Sequence, residues 1–248
     1  MTLRPAVIGA LLLLSACAAA PGAGPGAGPG AGPTQGRVVA DQGPGAVGLP
    51  RERARAFVEV VAAVEPVAEA ECRARQPRAD CDLRIVVDDR PGMPANAFQT
   101  VDDRGRPLVA FTVALIATAQ NRDELAFVLA HEAAHHIAGH LQRQDLNARL
   151  GAEVFARLAA TGGGSAEAVA RATEIGAVVG ARSYSKEFEL EADALGAVIA
   201  ARAGFDPLVG AEFFLRIPDP GNRFLGTHPA NAERIATVRQ AVAAMGGV

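Results

Sequence analysis

The chain has no tryptophan, one tyrosine and a single lysine, Lys186, and aromatic residues make up only 4% of its 248 positions. A large aromatic platform for stacking nucleic-acid bases is therefore not expected. The formal net charge of -3 is modest and implies neither nucleic acid nor an anionic surface as a partner. The excess of arginine over lysine has no functional reading. No apolar stretch reaches the roughly 20 residues that a membrane-spanning helix needs without interruption. The most hydrophobic interior segment, Leu108 to Ala119, is short and reads as a buried strand running into a helix.

Histidine is also scarce, yet its distribution is informative. Of five histidines, four lie between His131 and His140. His131-Glu132-Ala133-Ala134-His135 spells H-E-x-x-H. On a helix, positions i and i+4 stand above one another, so His131 and His135 can offer two imidazoles to one metal ion. Glu132 is then close enough to reach a water on that metal. The motif alone would also suit a polar patch on an amphipathic helix. The preceding residues favour the metal reading, because they start a helix properly. Asn121 is a candidate N-cap with Glu124 as its reciprocal partner. Leu125, Val128 and Leu129 follow at helical spacing.

Catalytic zinc usually takes three protein ligands. A third histidine at the fixed distance used by one zincin class is excluded, because Leu141 and Ala138 occupy the His and Gly positions. A downstream helix offers Glu189 and Asp193 as an i, i+4 pair on one face. One carboxylate would bind zinc and the other would steady a ligand imidazole. Alternatively, these acids form a solvated first turn favoured by the helix dipole, the role expected for Glu187 and Glu191. His136 and His140 have no partner in the motif; His140 is expected near the helix end at Gly139.

Taken in order, these pieces resemble the M48 family of zinc metallopeptidases, the Ste24/HtpX-like group, and within it the secreted bacterial branch of BepA-like and LoiP-like proteins. The matching pieces are Asn96-Ala97-Phe98, Asp123-Glu124-Leu125-Ala126 leading into His131–His135, and Glu189-Leu190-Glu191-Ala192-Asp193. Ala203-Gly204-Phe205-Asp206-Pro207 and Thr227-His228-Pro229 follow. The resemblance covers roughly residues 51 to 245. It implies one Zn2+ per chain held by His131, His135 and Glu189, with Asp193 behind them and Glu132 as general base. It also implies an edge strand, Asn96, Ala97 and Phe98, to which an extended substrate adds. His228 is placed near the zinc, either hydrogen-bonding the oxyanion or covering the open position at rest. Read locally, His228 is instead the N-cap of a helix opened by Pro229.

The N-terminus bears on the compartment. Arg4 precedes an apolar run from Ala6 to Leu14, too short for an ordinary span and consistent with a signal peptide over residues 1–16. Leu14-Ser15-Ala16-Cys17 looks like a bacterial lipobox, which implies lipidation of Cys17 and anchoring by acyl chains. Without an aspartate after Cys17, the inner leaflet of the outer membrane, facing the periplasm, is the expected location. The alternative is an ordinary cleaved leader and a soluble periplasmic protein. Repeated Pro-Gly-Ala-Gly makes residues 17–49 a disordered tether. Residues 50–248 remain for a metallopeptidase domain, enough for one core. With Cys17 lipidated, Cys72 and Cys81 are an even pair in an oxidising compartment, read as a disulfide rather than two free thiols.

The expected fold is α+β: a mostly helical zincin-type domain with a small three-stranded sheet from Leu83–Val87, Ala95–Val101 and Leu108–Thr112. A helix from Arg51 to Arg75 with an irregularity at Pro66 precedes it, and a final helix starts at Pro229. Gly162-Gly163-Gly164 is either a hinge for a lid or a plain interhelix loop. The expected function is an endopeptidase for misfolded or misassembled cell-envelope polypeptides, with outer-membrane assembly machinery as a partner. The alternative is a chaperone-like or binding factor in outer-membrane protein assembly with a normally closed zinc site. A third reading, a non-catalytic lipoprotein scaffold, conflicts with the intact set of residues.

Overall fold

The computed structural model describes residues 49–221 and 226–246. The expected signal peptide, Cys17 and all but the last residue of the expected tether lie outside the described residues.

Helix α1 (Arg51–Arg75) buries Phe57, Val60, Val64, Ala68 and Cys72, a stripe recurring every three to four residues. It runs unbroken through Pro66, where the sequence leads one to expect an irregularity. A proline inside a helix costs about 3 kcal/mol, and burial of this stripe offsets it. A disulfide between Cys72 and Cys81, with α-carbons 5.7 Å apart, ties the end of α1 to the approach to the sheet.

The sheet is mixed, with strand order β1 (Arg84–Asp88), β3 (Pro107–Thr112), β2 (Ala97–Val101). β1 runs parallel to β3 and β2 antiparallel to it, with Ala97 opposite Phe111. Every residue of β3 is buried, which fits its near-continuous apolar sequence and central place. β2 is left as an edge. β3 ends at Thr112, whose hydroxyl accepts the Leu115 N–H and starts α2 (Val113–Thr118).

Helix α3 (Arg122–Ile137) is buried on nearly all sides, between α1, α6 (Ser185–Arg202), α7 (Pro207–Ala211) and the sheet. The architecture is thus helices around a small sheet, with α3 at the centre. α4 (His140–Thr161) and α5 (Ala166–Arg182) form an antiparallel hairpin packed chiefly on itself. Its backbones touch at Gly151 and Gly176, where an added Cβ would lie 2.1–2.3 Å from the facing carbonyl oxygen. Gly162-Gly163-Gly164 lies at the tip, roughly 30 Å along α4 from His140, as a plain interhelix loop would. α6 ends before Gly204. Asp206 then caps α7 by accepting the Leu208 and Val209 N–H groups. The final helix, α8 (Asn231–Ala244), begins after Ala230 rather than at Pro229, so His228 is not its N-cap. Among the described residues, no helix is long and apolar enough to cross a membrane.

Candidate metal centre

Helix α3 is started by Asn121, whose side chain accepts the Glu124 N–H at 2.9 Å. The Glu124 carboxylate does not return to Asn121 as a reciprocal box would. It takes the Gln120 N–H at 2.8 Å and pairs with Arg216. About two turns further, His131 and His135 project from the same face, with their Nε2 atoms 3.1 Å apart.

The third donor comes from α6. Glu189, Asp193 and Gly196 fall at i, i+4 and i+7 and so share one face of that helix. Gly196 meets the backbone of His131 so closely that a Cβ there would lie 3.0 Å from its N and Cα. This approach brings Glu189 opposite the two imidazoles. Its oxygens stand 3.6 Å from His131 Nε2 and 3.4 Å from His135 Nε2. One donor atom from each of His131, His135 and Glu189 lies within 4.8 Å of the others, and all three residues are buried.

This set fits a tetrahedral metal. Ligand bonds of about 2.0–2.1 Å place neighbouring donors about 3.3 Å apart; the imidazole nitrogens are 3.1 Å apart, and each stands 3.4–3.6 Å from one or the other Glu189 oxygen. Two imidazoles and a carboxylate are also the donor chemistry of a zinc site.

The surroundings place one buried guanidinium among three buried carboxyl groups. Arg234, from α8, clamps Asp193 with two hydrogen bonds of 2.7 Å and stands 3.3 Å from Glu189. Its guanidinium lies 4.0 Å over the Phe214 ring. Asp193 in turn faces His131 Nδ1 at 2.9 Å. Burial pulls the His131 pKa down, but hydrogen bonds to Asp193 and Glu189 outweigh it and lift the value to about 9. Burial opposes ionisation of Glu189, yet Arg234 and the neighbouring imidazoles hold its carboxyl well below the usual range. Burial likewise works against ionised Asp193, and Arg234 with His131 hold it low. Glu132 differs: burial raises its pKa, and its Oε1 has no hydrogen-bond partner among the described residues. Without a metal, a proton on His131 supplies the second positive charge beside Arg234, and a cation bound there would take that proton's place.

His228 lies on the Glu189 side, its Nδ1 3.2 Å from Glu189 Oε2. Ala97 of the edge strand β2 borders, with Phe127, Val128 and Phe213, a small apolar pocket beside His131 and Glu132. Asn96 precedes the strand and is held by backbone and side-chain hydrogen bonds to Thr112; Phe98 is half-buried on β2.

Three contributors escape a reading of the sequence. Arg234 carries no local signal, being 103 residues from His131. His140 opens α4 beyond Gly139 and is buried against His135. Glu191, expected to be solvated, pairs with His140 and Arg143. The only hint was the density of histidines in one short segment.

Comparison with known proteins agrees with the geometry. The model of peptidase family M48 matches residues 55–242. A Vibrio cholerae protein provisionally named a beta-barrel assembly-enhancing protease is 34% identical over 147 residues, covering 53% of this chain and 30% of the relative. The beta-barrel assembly-enhancing proteases of Escherichia coli O157:H7 and Shigella flexneri are 32% and 31% identical over 139 residues, 51% of this chain and 28% of each relative. The matched region thus spans less than a third of those relatives' own length.

Proposed function

This chain belongs to peptidase family M48, and from that premise we propose that it is a metalloprotease, a zinc endopeptidase in which His131, His135 and Glu189 hold the ion and Glu132 is the general base. The carrying observation is the convergence of two α3 imidazoles and an α6 carboxylate beside a buried glutamate with a free oxygen. Zinc, when bound, lowers the pKa of its water to about 7 and polarises the peptide carbonyl.

Glu132 takes the proton of the attacking water and returns it to the leaving amine. Burial raises its pKa in the metal-free chain. Asp193, clamped by Arg234, holds His131 in the tautomer that presents Nε2 inward. His228 hydrogen-bonds the carbonyl oxygen as charge develops. The open edge of β2, with Asn96, Ala97 and Phe98, pairs with an extended peptide through main-chain hydrogen bonds. This mode selects unfolded segments over a particular sequence.

In this proposal the substrates are misfolded or misassembled envelope proteins, and the relatives' names extend it to β-barrel assembly. Residues 1–16 are a signal peptide, and lipidated Cys17 anchors the chain on the periplasmic side of the outer membrane. Residues 17–49 form the tether to the domain at 50–248. The proximity of His228 to Glu189 favours a second reading, in which the site is covered at rest and the chain acts as a binding factor in assembly.

The test is degradation of an unfolded model protein by the zinc-loaded chain, beside Glu132→Gln carrying equal zinc. Cleavage by the wild type alone is expected. Cleavage by both would remove Glu132 from the mechanism. Cleavage by neither, with activity appearing in His228→Ala, would establish the covered site.

A further inference from the structure

The two imidazoles of the candidate centre are backed differently. Behind His131 stands a carboxylate, Asp193, held by Arg234. Behind His135 stands another imidazole. His135 Nδ1 and His140 Nδ1 are 2.8 Å apart, and His140 Nε2 is 3.1 Å from Glu191 Oε2. Arg143 donates to that same oxygen at 2.7 Å. The His140 ring is buried and stacked on Phe188, with centroids 4.6 Å apart and planes 13° from parallel. Arg143 also lies over Phe188, 4.3 Å from the ring centroid.

Proton placement follows from these contacts. If His135 presents Nε2 to a metal, its proton must sit on Nδ1 and be donated outward. His140 Nδ1 must then accept, so the His140 proton sits on Nε2 and is donated to Glu191. Each nitrogen in the chain has one consistent role, and Arg143 holds the terminal carboxylate in place. The reverse arrangement would put a proton on His135 Nε2 and remove it as a ligand.

We propose that His140 and Glu191, with Arg143, form a positioning relay that fixes the tautomer and ring orientation of His135 and strengthens it as a metal ligand. The relay rests on the metal-centre reading above. It also gives the base of α4, which carries His140 and Arg143, a part in the centre. Phe188 restricts the His140 ring to the plane in which both nitrogens meet their partners. Residues that orient a metal-binding histidine typically contribute roughly 10–100-fold to affinity.

The experiment uses the full chain with zinc alone as the probe. Zinc affinity is measured against a competing chelator for wild type, His140→Ala, His140→Asn, Glu191→Ala and Glu191→Gln. Visible absorption of the Co2+-loaded proteins reports ligand geometry, and thermal unfolding in chelator reports the fold separately. His140→Ala is expected to bind zinc roughly 10–100-fold more weakly. His140→Asn should recover part of the loss, because its amide oxygen can accept the His135 proton. Glu191→Ala should lose several-fold and shift the cobalt bands, with Glu191→Gln between it and wild type. Glu191 is half exposed, so its variants decide the matter should His140→Ala fail to fold. Affinity and cobalt spectra indistinguishable from wild type in the folded variants would overturn the relay. Absence of zinc binding by the wild type, or its persistence in His131→Ala, would instead overturn the metal-centre reading, and the relay with it.

Discussion

Asp193 and Arg234 are joined by two hydrogen bonds of 2.7 Å each, in the interior, across 41 residues of sequence. The pair links α6 to α8 directly behind His131. Removing one partner of a buried pair strands the other, at a cost of about 3–5 kcal/mol. Arg234→Met should lower stability by about that amount in denaturant unfolding of the metal-free chain. Asp193→Asn should bind zinc roughly 10–100-fold more weakly in chelator competition. Wild-type behaviour of both variants would show that the clamp is incidental.

In the proposed site, protons and metal compete for His131. Its folded pKa of about 9 lies above the ordinary value of 6.5. The protonated, paired state therefore stabilises the metal-free fold fully below pH about 6.5, and that contribution is lost as pH rises toward 9. Zinc must displace this proton. Apparent affinity should rise by up to about tenfold per pH unit across the same window and then level off. A pH-independent affinity from buffered-zinc titrations would contradict this.

Gly196 sets how closely α6 approaches α3. A methyl group there would meet His131 N and Cα at 3.0 Å, and backbone cannot step aside as a flexible side chain can. Gly196→Ala should force the helices apart at a cost of about 1–3 kcal/mol and move Glu189 from the imidazoles. Thermal unfolding and zinc titration should both register the change. Gly204→Ala, at an exposed turn with nothing near its Cβ but a positive φ of 88°, should lower stability without altering zinc affinity.

The Cys72–Cys81 disulfide closes a short loop outside the proposed donor set. Chain-entropy arguments assign such a loop about 2–3 kcal/mol. Reductant, or Cys72→Ala with Cys81→Ala, should lower the unfolding temperature and leave zinc stoichiometry unchanged. Loss of zinc on reduction would count against the His/Glu donor set.

Much of the fold is written in local spacing. α1, the start of α3 at Asn121 and the caps of α2 at Thr112 and of α7 at Asp206 all depend on residues within a turn or two of each other. The same holds for His131 with His135, and for Glu189 with Asp193, because helical periodicity alone puts each pair on one face. Where local rules mislead, a packed neighbour explains it. Pro66 does not interrupt α1, since the buried stripe holds the helix through it. Pro229 does not open α8, and His228 instead faces Glu189.

By itself, then, the sequence determined which helices could carry metal donors, the three-stranded sheet, and the residues that make the chain resemble a zinc peptidase. Only the tertiary structure decided which side chains surround those donors. The Arg234 clamp, the His135–His140–Glu191 contacts and the approach at Gly196 each join residues on different helices. Their geometry depends on how α3, α4, α6 and α8 cross, and crossing is set by packing summed over the whole core, which no local periodicity encodes.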